Sequence, residues 1–537
     1  MNDGPTIFQR RILVGALICV VAFVLVEVRL IDVTLFNATV QKHGDQAPVE
    51  SRADMVDRNG AILARDIPVE DLYARPHAFW DKREAARELA QATGENESRL
   101  AKLFVGKKQY VFVARGLTPD AQDKVMHLGL PGLEFQPGFR RYYPEGRVTA
   151  QVLGLTGLDD DGVTVGLSGL ELGLDSKLKD AASGESVQLS LDMRVQYILA
   201  HEVEASRDEF AARQAGGLVL DVRTGEVLGM VSLPDFDPDV RGLAPGDSTH
   251  DMMDQDVFEL GSVFKIFSFA LATEDGTMRP DEIFPIGNAF PIGRFTIHEA
   301  ERMPAMLAAR DILALSSNIG TTQIALRSGP VRQHSFLEEM GLLNALHTEL
   351  PAARRPQYPA HWGEVETATV SFGHGISVSP LAFAAAAAAV VNGGRRITPT
   401  FLKHPQDGRG EQLLKPETSV KMRELLRYVV TNGTGKKADV PGYDVGGKTG
   451  SAQKSRQHHR GYDHKLVTSF CAVFPVRDPR YLVFVVLDEP HGTKETFGFA
   501  LAGYTAAPLA GRIIARIAPI LGVPKMPEPI VVARGTP

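Results

Sequence analysis

Ser262 and Lys265 stand three residues apart in "ELGSVFKIFSFALATED", Glu259 to Asp275. On a helix that spacing puts both side chains on one face, where a neutral lysine amine can take the proton of a serine hydroxyl and make it a nucleophile for acyl transfer. The competing reading is a serine that caps the first turn and a lysine on a solvated face. Spacing alone does not choose, because Ser176 with Lys179 and Ser451 with Lys454 repeat it. Two further stretches carry groups able to move protons or hold a carboxylate. "LALSSNIGTTQIA" places Ser316, Ser317 and Asn318 at a break between helical segments, and "YDVGGKTGSAQ" places Lys448, Thr449, Gly450 and Ser451 on an extended run behind two glycines. Ser317 reads as packing or a helix cap. His458, His459 and His464 lack carboxylate or cysteine partners at ligand spacing, so they predict a solvated loop and no metal.

Such groups need a scaffold to hold them. An extended run at Val187 to Leu191 precedes a helix from about Met193, and "AGGLVLDVRTGEVLGMVSLPDFDP" reads as a hairpin turning at "VRTGE". "LVTSFCAVFPV" and "YLVFVVLDEP", joined by "RDPR", predict a hairpin buried on both faces. "PLAFAAAAAAVVNGG" reads as a core helix and "GYTAAPLAGRIIARIAPILG" as a closing one. Together they predict an α+β domain, an antiparallel sheet covered by helices. Ahead of it, "SRADMVDRNGAILARDIPVEDLYARP" carries a hairpin signal at Asp57 to Gly60, and "AFWDKREAARELAQATGENESRLAKLF" has helical periodicity with no internal proline. This part holds few clustered titratable groups, which suits docking rather than chemistry. Tyr142, Tyr143 and the adjacent arginines read as a surface patch for docking.

The 537 residues suffice for two or more domains, and the net charge of −7 without a long basic run excludes the electrostatic footprint of a nucleic-acid binder. Two cysteines, Cys19 and Cys471, support neither a disulfide framework nor a thiolate metal site. Arg10 and Arg11 precede an apolar run from Ile12 to Val26. That run covers about 22 Å of a roughly 30 Å hydrocarbon core, so a span must extend to about Ile31, with Glu27 and Arg29 near the far interface or against a partner helix. A cleaved signal peptide is the alternative, but "EVRLIDVTLF" offers no small-x-small site. The expectation is an uncleaved anchor at 12–31, a cytoplasmic tail at 1–11, and the rest outside the cytoplasm. A non-catalytic α+β module then occupies 32–186, the large domain 187–521, and a loose proline-rich tail 522–537.

Serine-x-x-lysine, serine-x-asparagine and lysine-threonine-glycine, in that order, form the constellation of penicillin-binding proteins and serine β-lactamases. On these residues the chain resembles the class B penicillin-binding proteins, most closely the division-specific (septal) transpeptidases of the FtsI type. "VDRNGAILA", "RRYYPEG", "LSLDMRVQ" and "SFGHGISVSPL" resemble further boxes of that family, so the likeness covers nearly the whole chain. Two departures, serine-serine-asparagine for serine-aspartate-asparagine and Ser451 where threonine is frequent, keep a hydroxyl or amide in place.

The resemblance implies Ser262 as nucleophile, Lys265 as its base, Ser316 as proton relay, Asn318 as a hold on the substrate amide, and Lys448 as a source of positive potential. Thr449 and Ser451 would bind a carboxylate, with Gly450 letting the strand edge approach. It implies no cofactor. Its substrates would be peptidoglycan stem peptides ending in D-Ala-D-Ala, its inhibitors β-lactams, and its setting the bacterial inner membrane, single-pass, with the catalytic domain periplasmic at the septum. Partners would be an integral-membrane glycosyltransferase of the FtsW type and other division proteins. An elongation-specific class B enzyme is the competing reading within the family. A carboxypeptidase or β-lactamase is the competitor by fate of the acyl-enzyme, though no glutamate-x-x-leucine-asparagine stretch follows Asn318 to hold a deacylating water.

Overall fold

The computed structural model describes residues 7–31, 51–159, 163–180, 185–240, 249–351, 353–404, 408–455 and 462–526. It divides into two units, Met1–Ser51 and Arg52–Pro537. The first holds helix α1, Ile7–Ile31. Among the described residues no helix is long and apolar enough to cross a membrane. Side chains of α1 are described at 14–27. Those side chains, Leu17, Ile18, Phe23 and Leu25 among them, are exposed.

The second unit opens with β1, Asp54–Val56, and β2, Ile62–Ala74, paired around the predicted turn. Asp57 shapes that turn, its Oδ1 accepting from the N–H groups of Asn59 at 2.7 Å and Ala61 at 2.8 Å. The stretch of helical periodicity forms two helices, α2, Lys82–Thr93, and α3, Glu97–Val105. Gly94, at φ 76°, ends the first, and the Asn96 side chain caps the second. Both pack on β3, Val111–Leu117, through Leu89, Leu100, Phe104 and Val113. The long β4, Leu133–Tyr142, pairs along β2 from Tyr142↔Arg65 to Leu133↔Ala74.

The expected surface patch at the end of β4 is not one. Tyr142 is exposed, but Tyr143 and Arg141 are buried. The Arg141 guanidinium donates to the wholly buried Glu171 at 2.7 Å, and Arg52 donates to the same carboxylate at 2.8 Å. Asp66 and Asp175 complete the network, taking Arg141 at 3.2 Å and Arg52 at 2.6 Å. Arginines in sequence look solvated because nothing local announces the acid that will bury them.

A fifth strand joins the sheet beside β1, from the far end of this module. β5, Ser186–Gln188, runs parallel to it with Met55 opposite Val187, and α4, Met193–Glu209, follows. The larger sheet then forms as predicted from the two hairpins: β6, Gln214–Asp221, with β7, Val227–Leu233, and later β9, Tyr462–Phe474, with β10, Tyr481–Asp488. With β8, Gly446–Ser455, the order is β8-β9-β10-β6-β7, and every pairing is antiparallel. Every residue of β10 is buried, as its unbroken apolar run requires.

Helices cover both faces. On one, α4 and α8, Ala506–Ile520, bring Val195, Leu199, Ile513 and Ile514 against Val219 and Val485. On the other lie α5, Lys265–Glu274, and the alanine-rich α7, Pro380–Val391, buried throughout its length. Phe383 of α7 stacks on Phe484 of β10 at 4.8 Å and meets Phe267 of α5 edge-on at 5.3 Å. Small alanines let α7 sit close to the sheet, and the aromatic cluster fills the remaining space. The start of the C-terminal tail is packed: Val523 is buried and the Met526 N–H donates to Gly442 O at 2.8 Å. Residues 527–537 lie outside the described residues.

Candidate active site

Ser262 lies not in a regular α-helix but in a short 3₁₀ turn, Gly261–Phe264, and α5 begins at Lys265. From Lys265 to Ala272 every side chain of α5 is buried, so the helix has no solvated face for the lysine. Ser262 makes no capping hydrogen bond to either segment. The turn is wedged against β8. Gly261 has φ 62°, and a Cβ there would lie 2.7 Å from Ser451 O; one on Gly450 would lie 2.4 Å from Leu260 O. Gly450 thus admits the turn that carries Ser262, where the resemblance implied that it lets the strand edge approach substrate.

Lys265 is fully buried, and its Nζ donates to Ser316 O at 2.5 Å, Asn318 Oδ1 at 2.9 Å and Ser316 Oγ at 3.2 Å. The first two partners can only accept, whereas the third is a hydroxyl that can also donate. A neutral amine therefore keeps its two N–H groups for the shorter contacts and has its lone pair free for a hydroxyl proton. Burial pushes Lys265 well below the ordinary lysine range, and the nearby Lys448 charge pushes it further, opposed by Glu299. Lys448, also fully buried, donates to the same Ser316 Oγ at 3.0 Å and to Thr449 O at 3.0 Å, and burial lowers it to about 7. Ser316 holds this place with φ 67° and ψ 38°, a left-handed conformation that costs a residue with a side chain about 1–2 kcal/mol.

Asn318 opens α6, Asn318–Glu339, and Ser317 caps it, accepting from Gly320 N at 3.0 Å as the sequence suggested. With Oδ1 on Lys265, the Asn318 amide points Nδ2 toward His298 O at 3.4 Å, leaving it as a donor. Thr449 Oγ1 lies 2.7 Å from Thr434 Oγ1, and Ser451 Oγ accepts from the Ala502 N–H at 3.0 Å. Ser262, Ser316, Asn318, Thr449 and Ser451 line one cleft of about 670 Å³. The other two serine-lysine pairs are drawn elsewhere: Lys179 pairs with Asp175 at 2.7 Å, and Lys454 with Glu489 at 2.8 Å.

Sequence reasoning missed several lining groups: Glu299, His374, Thr434, and Lys436 and Lys437 at the rim. Thr434 to Lys437 lie in "GTGKKADVPGYDVGGKTGSAQK", the stretch that carries the third motif, but no local pattern singled out their side chains. Burial and the charge of Lys265 lower His374 to about 4. No cluster of three metal-ligating groups occurs among the described residues. His458 and His459 lie outside them, and His464 is exposed.

The penicillin binding protein transpeptidase domain matches residues 215–514, and the penicillin-binding protein dimerisation domain matches 49–198. The chain belongs to the class B penicillin-binding proteins. Family membership makes it an enzyme, a peptidoglycan D,D-transpeptidase. It is 40% identical, over 93% of its length and 86% of the relative, to a probable peptidoglycan D,D-transpeptidase FtsI of Caulobacter vibrioides. Likeness to the peptidoglycan D,D-transpeptidase FtsI of Escherichia coli K12 is 28% over 94% of this chain and 90% of that one. Penicillin binding protein 3 of Mycobacterium tuberculosis, solved with aztreonam, superposes at a TM-score of 0.69 with 26% identity, covering 89% of this penicillin-binding protein and 98% of the other.

Proposed function

We propose that the enzyme cross-links stem peptides at the division septum through an acyl intermediate on Ser262. The observation that carries this reading is the Ser316 hydroxyl, held by both Lys265 and Lys448 in the cleft that Ser262 lines. Neutral Lys265 takes the Ser262 proton as Oγ bonds to the carbonyl carbon of the penultimate D-alanine. Backbone N–H groups of Ser262 and Ser451 receive the developing oxyanion, each such donor contributing roughly 10²–10³ in rate. The C–N bond breaks, and Ser316 passes the proton from Lys265 to the departing D-alanine amine. An amine of a neighbouring stem then attacks the ester carbon, gives its proton to the same relay, and Ser262 leaves reprotonated. Asn318 Nδ2 orients the substrate amide, Thr449 and Ser451 receive the terminal carboxylate, and Lys448 supplies positive potential from behind them. A β-lactam acylates the same oxygen.

Around this site we assign 32–186 as pedestal and 187–521 as transpeptidase domain. Residues 12–31 are the anchor, 1–11 a cytoplasmic tail, and the domains lie on the periplasmic face of the inner membrane. An FtsW-type glycosyltransferase is the membrane partner in this reading, which Glu27 and Arg29 beside an apolar stretch support. Unchanged co-purification after charge reversal of both residues removes that contact.

Intact-protein mass after exposure to a β-lactam, wild type against Ser262→Ala, tests the chemistry. A one-drug adduct on wild type alone, stable for hours, is expected; an adduct on both, or on neither, defeats the assignment.

A further inference from the structure

We propose that Glu299 is a positioning residue of this site, holding the Ser316–Asn318 turn at the place Lys265 requires. The inference rests on the acyl-Ser262 reading. Its carboxylate collects three donors from that turn: Ser317 Oγ at 2.5 Å and Ile319 N at 3.0 Å on Oε1, and Asn318 N at 2.7 Å on Oε2. The first N–H groups of a helix have no partner within it, and a charged acceptor there is stabilising. Ser317 spends its own oxygen on Gly320 N and its proton on Glu299, so hydroxyl and carboxylate share the cap. The near side of the turn is held by the preceding helix, whose Ile312 O accepts from the N–H groups of Ser316, at φ 67°, and Ser317; Glu299 holds the far side, from Ser317 Oγ to Ile319 N. Both Ser316 O and Ser316 Oγ must face Lys265.

Glu299 also faces Lys265 as a charge. The groups around the lysine are Lys448 from β8, Glu299 from the loop after the short strand Phe295–Ile297, and His374 from the loop before α7. His298, Glu301, Lys436 and Lys437 line the same cleft. Among these, Glu299 is the group that favours the protonated lysine, against burial and Lys448. The residue therefore does two separable things: it shapes the turn through hydrogen bonds, and it limits how far the base is depressed.

The test is the rate of β-lactam acylation of the full-length enzyme across about pH 5 to 9, with thermal unfolding, for wild type, Glu299→Gln and Glu299→Asp. Expected is a plateau about tenfold lower in both variants, since a misplaced turn misaligns the relay. In Glu299→Gln the acid limb, set by protonation of Lys265, moves to lower pH because the charge is gone. In Glu299→Asp the charge remains and the limb stays. A wild-type plateau and limb in Glu299→Gln overturns the proposal. So does a rate loss in both variants that tracks lost fold while the limb is unmoved. A wild-type enzyme that forms no adduct at Ser262 overturns the acyl-enzyme reading beneath it.

Discussion

Lys265 and Lys448, both fully buried, donate to one hydroxyl, that of Ser316, at 3.2 and 3.0 Å. Two amines brought this close out of water cannot both stay charged at neutral pH without a large penalty, which favours a neutral amine in the pair. Burial that serves chemistry is paid for in stability. Lys448 titrates at about 7 in the folded protein and near 10.4 unfolded. The unfolded chain therefore binds more protons between those values, and stability rises with pH across that window. Lys448→Met is expected to raise stability by on the order of 1–2 kcal/mol at pH 7. The gain over wild type shrinks toward pH 10, and acylation is lost. Unfolding midpoints at several pH values, beside adduct formation, check both halves.

His374 gives the same dependence at lower pH. It titrates at about 4 folded and about 6.5 unfolded. Its contribution is complete above pH 6.5 and is lost as pH falls through 4, where a proton binds the unfolded chain first. The His374→Gln variant is expected to lose about 2 kcal/mol less stability than wild type over that interval. Urea unfolding at both ends measures it; parallel curves would count against the shift.

Gly450→Ala tests the contact between β8 and the turn of Ser262. A Cβ there meets the Leu260 carbonyl at 2.4 Å, a backbone atom that has no flexible end to swing aside. The strand or the turn must shift by a sizeable fraction of an ångström. Acylation is expected to fall about a hundredfold with the fold intact, read as adduct rate against circular dichroism.

Glu171 balances two buried guanidinium groups, Arg52 and Arg141. Truncating it to alanine leaves both without their central anion, and a loss of about 3–5 kcal/mol is expected. Denaturant unfolding of the variant checks the size of the effect. A loss under 1 kcal/mol would falsify the view that this network ties the module together.

The elements that rest on local periodicity were readable before any coordinates. The two hairpins of the large sheet, α4 from Met193, α7 and α8 follow from apolar spacing and turn residues. Ser262, Lys265, Ser316, Asn318, Lys448 and Thr449 were readable because motifs keep their spacing. Long-range packing was not. Nothing near Gly450 says that Leu260 will press on it, and nothing near Arg141 names Glu171 as its counter-ion. Glu299 sits too far ahead of Asn318 for any helix or strand period to link them, so its three donors emerge only from the fold.

The strand carrying Lys448 to Ser451 lies at the rim of its sheet, paired with β9 alone. An unpaired rim is ordinarily a hazard, since its free main-chain groups accept any extended chain that drifts by, including another copy of the protein. Here the 3₁₀ turn of Ser262 presses on the strand at Gly450, and Lys454 is tied to Asp488 and Glu489 further along. Neither contact pairs with the main-chain groups of the rim, so an extended chain that reaches β8 can still add to it as a further strand. The opening that would suit an extended peptide is thus the same one that exposes the protein to pairing with its own kind.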